Sequence, residues 1–493
     1  MPDRRSRFAA PPVLAVDSDA ADASVAGALT HSLAELRRSL ELPDAFPADV
    51  EAEATRVASA VSVDPETAGL IDLRDIPFLT IDPAGSTDLD QALHVERTET
   101  GAILHYAIAD VPAYVEPGGA IDREARRRGQ TLYAPDGRIP LHPPVLSENA
   151  ASLLPDQDRR AFVWRFELDA GARPVTTTLT RAIVRSRQQW TYEDAQAAID
   201  RGDAPEALLA MTWFGAQRDA RESERGGASL DMPEISIVHE GENYSLELDE
   251  AVPLEHHNAH VSLLTGMAAA ELMLRGGVGI LRTMPPAADA DVAAFRERAQ
   301  ALGLPWHEGT AYGDYLRTLP RTPAARAVRE TAASLFRGAG YAVFDGEPPA
   351  LTVQSAIGAP YAHTTAPLRR LVDRWTLVIC EALANARPVP DWARSSLAEL
   401  PALMGASSQR ASALAAGAVD RVEAAVLSGR EGTVFEALVL SVRGAHARIQ
   451  LVDPPVETSI TGPGLTASTT VRVRITDVSI ADGTVVVEPA PPR

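Results

Sequence analysis

At 493 residues, 45% of them hydrophobic and 23% charged, the chain has the composition of a globular protein long enough for several units of about 100–200 residues each. No apolar run approaches the ~18 residues of a membrane-spanning helix, so no membrane association is expected. The net charge of −21 argues against a coat for duplex nucleic acid but leaves room for an internal channel, and all 46 basic residues are arginine, whose planar fork suits bidentate phosphate contacts.

The first 29 residues or so lack the apolar segment and cleavage pattern of a secretory signal. Their mixture of Ala, Asp, Ser and Pro predicts a flexible lead-in and a cytoplasmic protein. Residues 32–42 are amphipathic and 46–61 read as a second helix, so 1–75 form the lead-in and a small helical region. From residue 76 the pattern turns to β, with short apolar and β-branched runs at 78–81, 93–95, 103–109, 162–168 and 175–184. Helical stretches follow at 192–199, 204–225, 259–275 and 292–302, and Pro367 suits the first turn of a helix over 367–386. Strands early and helices later favour an α+β fold with mixed sheets over a doubly wound parallel sheet, and one domain is expected over 76–405. The single cysteine, Cys380, excludes an intrachain disulfide framework and any cysteine zinc cluster, and it reads as a small buried apolar residue in a reducing compartment. A break is expected near 406–430. Beyond it, alternating runs at 433–442, 447–451 and 470–475 and a hairpin-like end at 480–487 predict a small OB/S1-like β-barrel over 430–493. Phe435 is the one aromatic there, so base stacking on that barrel should be weak.

The stretch richest in chemistry is Thr80-Ile-Asp-Pro-Ala-Gly-Ser-Thr-Asp-Leu-Asp-Gln-Ala-Leu93. Asp88 and Asp90, two apart, share one side of an extended segment, and the Pro-Ala-Gly-Ser loop brings Asp82 back beside them. Three converging carboxylates repel one another unless a cation sits among them, and hard oxygen donors select Mg2+ or Mn2+ over zinc. Spacing alone describes a solvated acidic turn equally well.

This block, with His105-Tyr-Ala-Ile-Ala-Asp110 after it, resembles the signature of the RNB family, the ribonuclease II and ribonuclease R type of exoribonuclease. Gln130-Thr-Leu-Tyr-Ala-Pro135, Ile139-Pro-Leu-His-Pro-Pro-Val-Leu-Ser147 and Tyr361-Ala-His-Thr-Thr-Ala-Pro-Leu-Arg-Arg370 follow in family order, so the likeness covers roughly residues 74–386. It implies that Asp82, Asp88 and Asp90 bind the metal, and that Arg369 contacts the scissile phosphate in the manner of an arginine finger. It also implies that Tyr133 packs on the 3′-terminal nucleotide and that Tyr192 lies near the terminal ribose. A half-buried structural tyrosine is the plainer reading of Tyr133. Arg370 and Arg374, one helical turn apart, either line the RNA path or form a solvated face paired with Asp373.

The sequence departs from the family at three places. A fourth aspartate should follow the third, but Gln91 stands there, a neutral and weaker metal ligand. No glutamate occupies the Ala259-His-Val-Ser-Leu-Leu-Thr-Gly-Met267 stretch, where the family carries a pair, one of which recognises ribose. The family's two leading cold-shock barrels are expected to be missing, since the sequence before residue 76 is short and reads helical. Arginine without lysine and the bias to Ala, Asp, Val and Pro look like a GC-rich bacterial genome, hence a short bacterial form. The expectation is a 3′→5′ exoribonuclease acting on single-stranded RNA with Mg2+ or Mn2+, with no obligate protein partner apparent. The alternative is an RNA-binding protein on an RNB scaffold with weak or no hydrolysis, and a small-molecule phosphatase would leave Tyr133 and Arg369 unexplained.

Overall fold

The computed structural model describes residues 6–8, 24–228, 234–240, 243–249, 251–320, 322–333 and 335–491. Most of the expected lead-in lies outside them, although Ser6–Phe8 pairs in parallel with Glu234–Glu240. Helix α1 (Val25–Ser39) starts on Ser24, whose hydroxyl accepts the Gly27 N–H at 3.1 Å, and it buries Leu29, Leu33 and Leu36 along one face. Helix α2 (Ala48–Ala60) buries Val50 and Ala54.

The centre is a ring of strands. β1 (Phe78–Ile81), β2 (Gln91–Arg97), β3 (Gly101–Ala109), β4 (Asp158–Asp169) and β5 (Pro174–Trp190) pair in that order, and β5 closes the ring by running parallel to β1 and antiparallel to β4. Period-2 alternation builds both faces of the wall. Ala102, Leu104, Tyr106 and Ile108 of β3 join Phe162, Trp164, Phe166 and Leu168 of β4 in one core. Their neighbours Ala107, Ala109, Ala161 and Val163 turn to a second core. Closure removes the exposed sheet edges.

Helices α3 (Tyr192–Arg201), α4 (Glu206–Glu224), α5 (Pro253–Gly276) and α6 (Leu371–Ala384) come after the ring. Val261, Leu264, Ala269 and Met273 of α5 bury into the same core as Leu104 and Trp164. The α+β expectation holds, with an unanticipated late strand pair, Val278–Thr283 with Gly340–Asp345. The expected break at 406–430 is instead spanned by α7 (Leu400–Leu427), one helix of 28 residues. The final five strands, β6 (Val434–Arg443), β7 (His446–Leu451), β8 (Glu457–Thr461), β9 (Thr470–Ser479) and β10 (Thr484–Pro489), lie in the order β8-β7-β6-β9-β10. The Thr458 hydroxyl on β8 donates to the Val485 carbonyl on β10 at 2.7 Å, which nearly closes this second barrel. It docks on the helices: Glu423 of α7 accepts the Glu457 N–H, and Ser32 of α1 donates to the Ile480 carbonyl.

Candidate active site

Strand β1 delivers Asp82, whose N–H donates to the Trp190 carbonyl of β5 at 3.1 Å. The chain then turns through Gly85 at φ 76°, a left-handed conformation natural to glycine, and returns through Thr87–Asp90 into β2. Leu89 is fully buried, and its N–H donates to Ser152. Its neighbours Asp88 and Asp90 therefore project to the opposite side, as the i, i+2 spacing predicts.

The carboxylates meet arginines. Asp90 is buried, with Oδ1 accepting the Leu368 N–H at 2.7 Å and Oδ2 accepting from Arg369 Nε at 2.6 Å. Asp88 accepts from Arg138 Nη1 at 2.9 Å and from the Tyr133 hydroxyl at 3.3 Å. Burial pushes both Asp82 and Asp90 up to about 7; the Arg369 guanidinium works against this, and the neighbouring carboxylates add to it.

Tyr133 and Arg138 are cross-strand partners in the hairpin Leu132–Ala134/Gly137–Ile139, so both side chains share one face and reach Asp88 together. Arg37 of α1 grips Asp136 in the turn of this hairpin with two contacts of 2.8 Å. The segment carrying Arg369 pairs with the strand leading into the hairpin: the Thr131 N–H donates to the Arg369 carbonyl, and the Leu371 N–H to that of Gly129. Asp82, Asp88, Tyr133, Arg138, Arg369 and Arg370 thus border one cleft of about 500 Å³, and Ala411 and Ala415 of α7 form part of its wall. Sequence reading had missed Arg138 and the two alanines; helical i, i+4 spacing was the one available signal for the alanines.

Three other expected residues lie elsewhere or play other parts. Gln91 is no part of the cleft lining and is corrected from metal ligand to internal brace: its Nε2 donates to the Thr365 carbonyl at 2.6 Å, and its Oε1 accepts from the Tyr106 hydroxyl at 2.8 Å. Arg374 is corrected likewise, since it is 1% exposed, paired with Asp122 and bonded to the Val115 carbonyl, which removes it from any RNA path. Tyr192 opens α3 and accepts from Asn258 at 3.1 Å without lining the cleft. Arg370 does line it, while holding the buried Asp373 through two contacts.

The donor set is all carboxylate, which suits a hard dication. Among the described residues, the oxygens of Asp82, Asp88 and Asp90 do not gather within 4.8 Å of one another, and arginine cations face Asp88 and Asp90. A cation shared by the three would compete with Arg369 for Asp90 and with Arg138 for Asp88. The Arg369 side chain is 38% exposed, so its fork can turn into the cleft.

Residues 70–384 match the RNB domain, and residues 433–490 match the RNase II-type exonuclease C-terminal S1 domain. Ribonuclease R of Acidithiobacillus ferrooxidans is 42% identical over 169 residues, 34% of this chain and 38% of that protein. Ribonuclease R of Escherichia coli strain K12 is 29% identical over 358 residues, 68% of this chain and 43% of that protein. The chain thus spans less than half the length of these curated relatives. Among solved structures, Mycoplasma genitalium RNase R in complex with ribose methylated single-stranded RNA superposes with a TM-score of 0.83 at 18% identity, covering 94% of this chain and 78% of that one. Yeast Ssd1, a pseudonuclease, superposes with a TM-score of 0.70 at 16% identity, covering 90% and 57%. At these identities the two structures establish the fold.

Proposed function

The chain belongs to the RNB family, and on that premise we propose that it is a metal-dependent 3′→5′ exoribonuclease that hydrolyses single-stranded RNA to nucleoside 5′-monophosphates. The observation that carries this reading is the meeting of Asp82, Asp88, Tyr133 and Arg369 in one cleft, beside the buried Asp90. Mg2+ or Mn2+ held by Asp82, Asp88 and Asp90 would supply activation of water and neutralisation of phosphoryl charge. The protein's own part is positioning. The ring of Tyr133 offers a stacking face to the terminal base, which any base can use. Arg369 exchanges Asp90 for the scissile phosphate, and its fixed fork matches the phosphoryl oxygens on which charge builds. The ribose methylated single-stranded RNA bound by the Mycoplasma protein supports this choice of substrate class.

A second reading, an RNA-binding protein with weak or no hydrolysis, draws on the neutral Gln91 and on the Arg369–Asp90 pair. Incubating a 5′-labelled single-stranded oligoribonucleotide with the protein in Mg2+, Mn2+ or EDTA separates the two. Shortening from the 3′ end that stops in EDTA supports the enzyme; retained binding with no shortening in either ion supports the binding protein.

A further inference from the structure

We propose that Asp219, His256 and His260 form a second metal site, away from the RNA cleft, which takes a borderline first-row dication such as Zn2+ and clips helix α4 to helix α5. His256 and His260 stand one turn apart on α5, so both imidazoles leave the same side of the helix. Asp219 of α4 meets them from the facing helix. The Nε2 atoms of His256 and His260 each lie 2.8 Å from the same oxygen, Oδ1 of Asp219. The two rings are 4.7 Å apart, and the three donor atoms all fall within 4.8 Å of one another. Glu222, one turn along α4 from Asp219, places Oε2 at 3.8 Å from His260 Nε2, within reach of a fourth position. Such focused donors are absent from the carboxylate cleft, whose oxygens do not meet this distance among the described residues.

The chemistry of the donors selects the ion. Two imidazole nitrogens and one or two carboxylates suit zinc and its first-row neighbours, whereas Mg2+ and Ca2+ favour oxygen alone. Tetrahedral bonds of about 2.0–2.1 Å put neighbouring ligand atoms about 3.3 Å apart, so the 2.8 Å contacts need open by only about half an ångström. Asp219 and His256 are 44% and 45% exposed and have room to make that shift, while His260, at 1%, fixes the floor of the site. The same side exposure gives an ion a path from solvent. On the opposite side of α5, Asn258 donates to Tyr192, and Ser262 shares a hydrogen bond with Tyr106, which braces Gln91. An ion between α4 and α5 would therefore fasten the helix from which these contacts hang.

The test uses the untagged full chain after chelator treatment, titrated with Co2+ as a spectroscopic probe and then with Zn2+. One equivalent of Co2+ at this site is expected to give the visible absorption of a four- to five-coordinate nitrogen–oxygen site, Zn2+ is expected to displace it, and Zn2+ is expected to raise Tm. His256→Ala should weaken binding by more than about tenfold, the least that loss of even an outer partner costs, and should abolish both signals. Asp88→Asn, in the carboxylate cleft, should keep both. The metal-free Tm of His256→Ala shows whether that variant is folded; if it is not, Asp219→Asn carries the same comparison. The proposal fails if the parent shows neither signal, if the folded variant retains both, or if Asp88→Asn is the substitution that removes them.

Discussion

Asp90 has both oxygens engaged, one by a backbone N–H and the other by Arg369, in a setting from which water is nearly excluded. An amide can imitate only part of this. Asp90→Asn keeps the shape but removes a ligand charge, and the expected result is a loss of hydrolysis of roughly 100-fold or more with RNA binding retained, read by single-turnover cleavage beside filter binding. Cleavage at the parental rate would place the metal site elsewhere. The raised values of Asp82 and Asp90 make a second prediction. A carboxyl that titrates near 7 when folded and near 4 when unfolded favours the fold below pH 4, and this advantage is lost as pH rises through about 7. In EDTA, Asp82→Asn should therefore melt above the parent at pH 8, with the gap closing at pH 5; a gap of equal size at both would refute the electrostatic cause. Gln91 shows how far the sequence could be read at this scale. Its departure from the family pattern was visible, but its partners were not: Tyr106 reaches it across the β2–β3 hairpin, and Thr365 comes from a remote loop that no local pattern reports. Because its Nε2 donates to a carbonyl, Gln91→Asp should remove that donor, leave acceptor oxygens without a proton between them, and lower stability by about 1–3 kcal/mol in denaturant titrations. An unchanged midpoint would mean that the Thr365 contact contributes nothing.

The elements divide into those written in local pattern and those written in contacts. The strands of the ring were legible because aromatic and β-branched residues alternate along them, as in Phe162, Trp164 and Phe166. Helix α7 was read as a break because alanine, serine and glycine dominate its first half, which leaves little contrast between its faces. Those small residues are what its position requires. A Cβ on Gly129 would come within 2.5 Å of the Ser407 Cβ, so the helix runs close against the chain that leads into the hairpin, and Ala411 and Ala415 leave the cleft open. The hairpin itself is not legible in the sequence, where Tyr133 stands out only through the family likeness and Arg138 is one arginine among many; their cross-strand pairing brings them together. Stacking on that tyrosine contributes roughly 1–3 kcal/mol per base, so Tyr133→Ala should release longer end fragments, measured by denaturing gel at completion. An end product of unchanged length would remove Tyr133 from the role of clamp.

Over the whole molecule, the net charge of −21 coexists with a cleft bordered by Arg138, Arg369 and Arg370. All three are paired with carboxylates, but Arg369 is 38% exposed against 5% and 25% for Arg138 and Arg370, which makes it the one proposed to take a phosphate. Affinity for single strands should fall with salt at a slope of about 0.7 per engaged phosphate, and Arg369→Gln should reduce the slope by about that amount. A slope that does not move would assign the phosphate contacts to other arginines.

Helix α7 also has a mechanical consequence. One uninterrupted rod packs against Gly129, just before the Tyr133 hairpin, near its start, walls the cleft through Ala411 and Ala415 midway, and holds the terminal barrel through Glu423 near its end. A lever of this kind cannot turn at one end alone. A displacement of the far barrel would therefore be carried along α7 to the wall of the cleft, so the two ends of the molecule are mechanically joined through one helix.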